Sequence, residues 1–265
     1  MSESLRIVYS IASDAAALAR FAARYFAEKC AAAAAAHGRA RIAISGGSTP
    51  KAAFALLADR AQIWRSEMPW SKLDLWWVDE RCVPPDHPDS NYRMTREALL
   101  DKVPLRPEQV HRMGGEMEPA DAAARYDLQL RTAFDLKGTE LPRFDLLQLG
   151  MGPDGHTASL FPHTEALHES FRLVTENHVE MVKESWRITL TWPVINNAAD
   201  VFFLISGQDK AQILKEVLLG PLDPERLPSQ LIAPASGILA LLLDAPAAAL
   251  LPARGEGGMG TIERV

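Results

Sequence analysis

A histidine and an aspartate stand two residues apart in the stretch FDLLQLGMGPDGHTASLFP, Phe144 to Pro162, just past an apolar run that reads as a strand. Around Asp154 and His156, the glycines Gly150, Gly152 and Gly155 spell G-x-G-x-x-G. One use of that spacing is a dinucleotide turn, which lays a diphosphate over a helix N-terminus and keeps an acid about 20 residues further on for the ribose. Glu176, after FRLV, mimics that acid. Against this reading, Asp154 puts a carboxylate where two phosphates would sit, and like charges at ~4 Å cost about 1–4 kcal/mol, depending on the local dielectric. The turn also falls midway along the chain, after several strands. The other use is proton transfer. His156 is expected near a helix start, where the dipole disfavours the imidazolium and keeps the ring neutral. A neutral imidazole takes a proton from water, and Asp154 can orient the ring or favour its charged state as it forms. A capping histidine with a structural aspartate is the plain alternative.

Two more loops carry unusual polar residues. In ISGGSTPK, residues 44–51, Gly46 and Gly47 let the backbone approach a ligand, Ser48 or Thr49 can cap a helix, and Pro50 suits its first turn. Exposed amides at such a helix start attract phosphate. The spacing is not that of a Walker A loop, and an ordinary capped turn is the bland alternative. In VDERCVPPDHPDSN, residues 78–91, Asp79, Glu80 and Arg81 directly follow a strand, and a proline-stiffened loop holds Asp86, His87 and Asp89. A solvated charged loop explains these equally well. Contiguous ligands rarely close a hard-cation shell, which counts against a metal at Asp86, His87 and Asp89. Cys82 beside Arg81 is an activated thiol only if a base is positioned for it. Further on, Arg187 opens the polar-alternating run RITLT. Lys210 follows ISGQD in a helical first turn, where a cation opposes the dipole by ~0.3–1 kcal/mol unless a bound phosphate reverses the sign.

The elements that must position these loops alternate along the chain. Apolar runs RIVYSI, RIAIS, LDLWWVD, QVHRM, FDLLQLG, WRITLTWP, VFFLIS and GILALLLD read as strands. Helical patterns cover residues 13–36 (ended by His37-Gly38), 49–60, 92–101, 120–134 and 209–219. Continuously apolar strands separated by helices predict a mostly parallel sheet covered on both faces, with ligands beyond the carboxyl ends of its strands. The alternation in RITLT predicts an edge strand or one that lines a site. No repeat or long linker divides the chain, so residues 1–265 are expected to form one domain.

With 265 residues, 48% of them hydrophobic, the chain can bury a large core. Its formal net charge of -6 argues against a nucleic-acid grip but leaves room for a small anion held by a few placed cations. Cys30 and Cys82 stand in no metal or redox spacing, and MSESLRIVYS has no basic-then-apolar leader. The run GILALLLDAPAAALLPA is broken by Asp244 and two prolines. A soluble cytoplasmic chain is expected, with no membrane partner; nothing marks a subunit interface, and a monomer is the simplest expectation.

In this order and at these separations, SGGSTP, DERCVPPDHPDSN and GMGPDGHTASLFP resemble the 6-phosphogluconolactonases, and RITLTWPVINNAADVFFLISGQDKAQIL is similar to the same family. The resemblance runs from about Ile7 to Asp244. It implies an α/β fold, a three-layer α/β/α sandwich that is Rossmann-like yet binds no dinucleotide, related to glucosamine-6-phosphate deaminases and ribose-5-phosphate isomerases. It implies hydrolysis of 6-phospho-D-glucono-1,5-lactone, a small-molecule substrate, without metal or organic cofactor. His156 matches the family's water-activating histidine and Asp154 the acid of its D-G-H core. Ser48, Thr49, Arg187 and Lys210 fall at positions suggesting a phosphate clamp. Arg81 matches the arginine of the D-E-R motif, at the substrate or its phosphate, and Asp79 falls where the deaminases keep a base. Amides at Gly46 and Gly47 are candidates to face the oxyanion. Two rivals stay open: a deaminase-isomerase of amino-sugar phosphates, against which the SLFP continuation counts, and a non-catalytic sugar-phosphate sensor, against which His156 and Asp154 count.

Overall fold

A computed structural model describes residues 5–252 and 259–264. Residues 1–4 of the N-terminus read above, and Ala253 at the end of the broken apolar run, lie outside the described residues.

The first half alternates as the apolar runs require. Strand β1 (Leu5–Ala12) leads into α1 (Ala15–His37); Asp14 caps it by accepting the Ala17 amide at 2.8 Å, and Gly38 ends it at φ 75°. There follow β2 (Ala40–Ile44), α2 (Ser48–Ala58), α3 (Ile63–Glu67), β3 (Leu73–Trp77) and β4 (Asp79–Arg81). Next come α4 (Asn91–Ala98), β5 (Val110–His111), α5 (Pro119–Ala133) and β6 (Leu146–Leu149). The second half runs β7 (Val174–His178), β8 (Trp186–Leu190), α6 (Trp192–Asn196), β9 (Asp200–Ile205), α7 (Ala211–Leu219), β10 (Ile238–Asp244) and β11 (Met259–Arg264). The helix expected over 92–101 stops at Ala98 and tightens into a 3-10 turn at Leu100–Lys102.

Strands β1, β10, β9, β6, β2, β3 and β5 lie parallel in that order, and β11 runs antiparallel along β1. Every residue of β3, β6 and β9 is buried, so helices cover both faces, giving the α/β/α layering. Side chains alternate across a strand, and the tryptophan pair of β3 shows the result. Trp76 stacks on His111 at 3.9 Å and meets Tyr126 of α5, while Trp77 turns to Tyr92 of α4. On β9, Phe202 meets Phe26 of α1 at 5.2 Å, and Phe26 meets Phe54 of α2. Burying each such ring contributes about 1.5–3 kcal/mol.

The chain moves from β2 to β3 and β5 on one side, then returns to place β6 on the other side of β2. That reversal opens a crevice at the carboxyl ends of β2 and β6, where open parallel sheets bind ligands. A second, antiparallel sheet of β4, β8 and β7 packs on α5. RITLT is the middle strand of that sheet, so the alternative that it lies at an edge does not hold. Its alternation has another cause: Arg187 pairs across to Arg81, and Thr189 to Asp79.

Candidate active site

The crevice is a cleft of about 230 Å³. Sheet neighbours β9, β6, β2 and β3 each send a loop into it, carrying Lys210, His156, the Gly46–Thr49 turn, and Asp79 with Arg81. Asp79 and Arg81 come from β4, which begins one residue past β3 and belongs to the smaller sheet. At about 4.8 Å per strand, the outermost of these loops stand roughly 14 Å apart.

His156 sits on a compact turn. The Gly152 amide donates to the His156 carbonyl at 2.8 Å, the Gly155 amide donates to the Gly152 carbonyl at 3.1 Å, and Thr157 bridges to Leu160. No helix follows β6 before the 3-10 turn at Glu165–Leu167, which corrects the expectation that His156 stands at a helix start. The missing helix also removes the dinucleotide reading, because that mode needs a helix N-terminus under its diphosphate. The neighbour that fixes the imidazole is Asp154. His156 Nδ1 lies 2.6 Å from Asp154 Oδ1, which also accepts the His156 backbone amide at 3.2 Å. Burial works to raise the Asp154 carboxyl, but the hydrogen bonds and charge of His156 outweigh it and hold the group below its ordinary value. Asp154 is therefore an anion at neutral pH. For a neutral ring this carboxylate favours the tautomer with its proton on Nδ1, which leaves Nε2 as the acceptor. Phe161 stacks on that ring at 3.9 Å, fixing its plane. The ring lies on the cleft wall, and Asp154 stands behind it.

A Cβ at Gly152 would come within 2.1 Å of His156 Nδ1 and 2.7 Å of Asp154 Oδ1. The middle glycine is thus required by the imidazole that packs against it. Gly46 is bare for a similar reason: a Cβ there would lie 1.8 Å from Asn91 Oδ1. Helix α2 is capped by Gly47 with no side-chain hydrogen bond, so neither Ser48 nor Thr49 serves as the cap anticipated, and both line the cleft.

Asp79 is buried in the cleft wall, its carboxylate held by the Ser159 hydroxyl at 2.8 Å and the Asn91 amide at 3.4 Å. Asn91 Nδ2 also donates to the Asp79 carbonyl at 3.0 Å. Glu80, 2% exposed, turns the other way. It accepts from the Arg81, Asn91 and Tyr92 amides and the Ser90 hydroxyl, tying the loop to the start of α4. Burial raises the Glu80 carboxyl, opposed by those four hydrogen bonds. Reasoning from residue types missed Asn91 and Glu80. The signal was the Ser-Asn pair at a helix start and a second acid beside Asp79 in a strand of charged residues.

Arg81 lines the cleft; its Nη1 donates to the Asp89 carbonyl at 2.7 Å, while its buried Nε has no hydrogen-bond partner among the described residues. Arg187 stands behind the cleft wall, not on it. Burial first, then the like charge of Arg81, press its guanidinium below the ordinary value, with Asp79 acting in the opposite sense. Lys210 Nζ reaches the cleft beside Asp209, 3.4 Å away. Ser206, also missed, lines the cleft while its hydroxyl donates to buried Asp244 at the end of β10. His87 and Asp89 approach Glu184 rather than Asp86, and the Lys183 ammonium lies against both carboxylates at 3.8 and 3.4 Å. Burial pushes the Cys82 thiol up to about 12, the reverse of an activated nucleophile.

A parallel α/β sheet with a His–Asp pair, Arg81 and Lys210 in the cleft at its switch point defines a class of α/β proteins equipped to bind a small anion beside a proton-transfer pair. The chain belongs to the glucosamine-6-phosphate isomerase/6-phosphogluconolactonase family, whose model matches residues 13–241. It is 44% identical over 215 residues to the 6-phosphogluconolactonase of Nostoc sp., covering 81% of this chain and 85% of that one. It is 36% identical over 263 residues to that of Streptomyces coelicolor, covering 95% and 97%. Among solved structures, 6-phosphogluconolactonase from Trypanosoma brucei superposes with a TM-score of 0.81 at 29% identity, covering 94% of this chain and 100% of that one. The Thermotoga maritima protein gives 0.76 at 27% identity, covering 90% and 99%. No helix among the described residues is long and apolar enough to cross a membrane.

Proposed function

We propose that this chain hydrolyses 6-phospho-D-glucono-1,5-lactone to 6-phospho-D-gluconate, the lactone-opening step of the oxidative pentose phosphate pathway, as a cytoplasmic, monomeric, one-domain enzyme. The observation that carries the mechanism is the 2.6 Å contact between His156 Nδ1 and Asp154 on a ring facing the cleft. As a water oxygen forms its bond to the lactone C1, Nε2 takes the water proton and Asp154 steadies the imidazolium that forms. The C1 carbonyl oxygen becomes an oxyanion, which the amides at Gly46 and Gly47 face. When the intermediate collapses, the bond from C1 to the ring oxygen breaks. Nε2 returns its proton to that oxygen, which leaves as the new hydroxyl.

The distal phosphate is held by Ser48, Thr49 and Lys210, with Arg81 offering its unpaired Nε–H; Arg187 acts from behind by its charge. Asp79, an acceptor held in place from two sides, is suited to a sugar hydroxyl. The clamp orients the ring, and the acceleration comes from contacts that strengthen in the transition state.

The test is an assay corrected for spontaneous opening of the lactone. The purified protein should open 6-phosphoglucono-1,5-lactone faster than buffer and release no ammonia from glucosamine 6-phosphate. No rate above buffer, or release of ammonia instead, would overturn the reading. In the same assay Lys210→Ala should raise KM about 10–100-fold with a smaller change in kcat. That follows from losing one charge-assisted hydrogen bond of about 1.5–3 kcal/mol. An unchanged KM would remove Lys210 from the clamp.

A further inference from the structure

A second cavity lies at the opposite pole of the sheet, where β2, β6 and β9 begin. It measures about 420 Å³, against 230 Å³ for the cleft, and His37, Arg39, Arg41, Arg143, Asp145 and Ala199 line it. Three guanidiniums from two separate segments converge there in a chain whose formal net charge is -6. We propose that this cavity is a second binding site, for a phosphate monoester of a small organic molecule.

The cations are only partly spent on the fold. Arg41 Nη2 donates to the Ala133 carbonyl at the end of α5, and its guanidinium lies over the Phe134 ring at 4.4 Å from the centroid. That fixes its plane, and among the described residues its remaining side-chain N–H groups have no hydrogen-bond partner. Arg39 Nη1 holds Asp74 at 2.8 Å. Arg143 Nη1 donates to the Asn197 carbonyl and the Ser236 hydroxyl, and Nη2 to the Ser236 carbonyl. Asp145 spends Oδ2 on the Arg41 backbone amide at 2.8 Å, and its Oδ1 lies 3.8 Å from His37 Nε2.

Counting Arg39, Arg41 and Arg143 against Asp74 and Asp145 leaves one net positive charge before any contribution from His37. The end of α1 at His37 points its carbonyls this way and opposes an anion. The attraction therefore needs the guanidinium forks themselves, whose paired N–H groups match phosphate oxygens. The volume falls within the usual range for small-molecule sites, ~300–1,000 Å³. A bare phosphate would fill little of it, so the ligand class is an organic phosphate.

Amide chemical-shift mapping of the whole chain separates this site from the cleft. The probes are AMP, with adenosine as the uncharged control. AMP should shift amides of residues 38–41 and 143–146 in a saturable way, and adenosine should not. Arg39→Ala, at an exposed side chain, should weaken that response at least 10-fold; Arg143→Ala should do the same if the Ser236 segment keeps its own shifts. The proposal is overturned if AMP shifts only residues around 46–50 and 206–211 or none, if adenosine binds equally well, or if Arg39→Ala leaves the response intact.

Discussion

Replacing His156 with glutamine is expected to leave a folded protein that binds 6-phosphogluconate about as tightly as wild type but opens the lactone about 10²–10⁴-fold more slowly. The reasoning runs through one proton. Asp154 is anionic, holds the Nδ1 proton of His156 at 2.6 Å and so leaves Nε2 basic. Glutamine can fill part of the ring's place against Phe161 but has no nitrogen that takes a proton from water and returns it to a leaving alkoxide. The clamp residues Ser48 and Thr49 open α2 after β2, and Lys210 ends the 3-10 turn after β9; none is on the His156 turn, so ground-state binding should survive. The measurement pairs the corrected lactonase rate with the Kd for 6-phosphogluconate. Undiminished turnover would refute the role of His156. A joint loss of binding and rate would mean that His156 serves uniform binding rather than the chemical step.

What the residues disclosed beforehand follows a physical line. The centre of the main sheet was legible because β3, β6, β9 and most of β10 are buried on both faces and so read as near-continuous apolar runs, VFFLIS and GILALLLD leaving little choice. The edge strand β11 was not foreseen. The smaller sheet was not. Its strand β4 is three residues long, Asp79–Arg81, all charged, and owes its existence to pairing with β8, more than a hundred residues away. Charge in a short segment reads as loop, and no local pattern announces a partner that distant. The same pairing explains why Arg187, a sensible clamp candidate by type, ends up behind Arg81 instead of beside it in the cleft. His156 and Asp154 were legible as a pair, whereas the ring's surroundings were misread: the sequence suggests a helix start, and the structure has a compact turn whose carboxylate orients the ring and steadies the imidazolium as it forms. Glu80 and Asn91 escaped because their work is to hold backbone, which residue type alone does not reveal.

The three glycines of the His156 turn should respond differently to an added methyl group: Gly155→Ala strains the backbone at φ 81° and crowds Leu227, whereas Gly152→Ala should be the one that displaces the imidazole. Its Cβ would fall 2.1 Å from His156 Nδ1, 2.2 Å from Cε1 and 2.7 Å from Asp154 Oδ1, separations no packed atoms sustain. The backbone cannot easily retreat, because the Gly152 amide is bonded to the His156 carbonyl at 2.8 Å. The imidazole must therefore swing off Phe161 and away from Asp154, losing its orientation together with its tautomer control. A displacement of about 1 Å at a reacting group costs on the order of 10²-fold in rate, so kcat should fall by at least that much. At Gly150 a Cβ meets nothing within 4 Å, and Gly150→Ala should keep the His156–Asp154 contact. Two readouts decide the matter: the corrected kcat, and the His156 ring proton resonances, which should move in Gly152→Ala and stay in Gly150→Ala. A dinucleotide turn would rank the sites differently, since there the backbone at the first two glycines makes room for the tight turn and the diphosphate. If Gly152→Ala retained wild-type kcat with unshifted ring resonances, the contact between the middle glycine and the imidazole would not be what holds His156 in place for proton transfer.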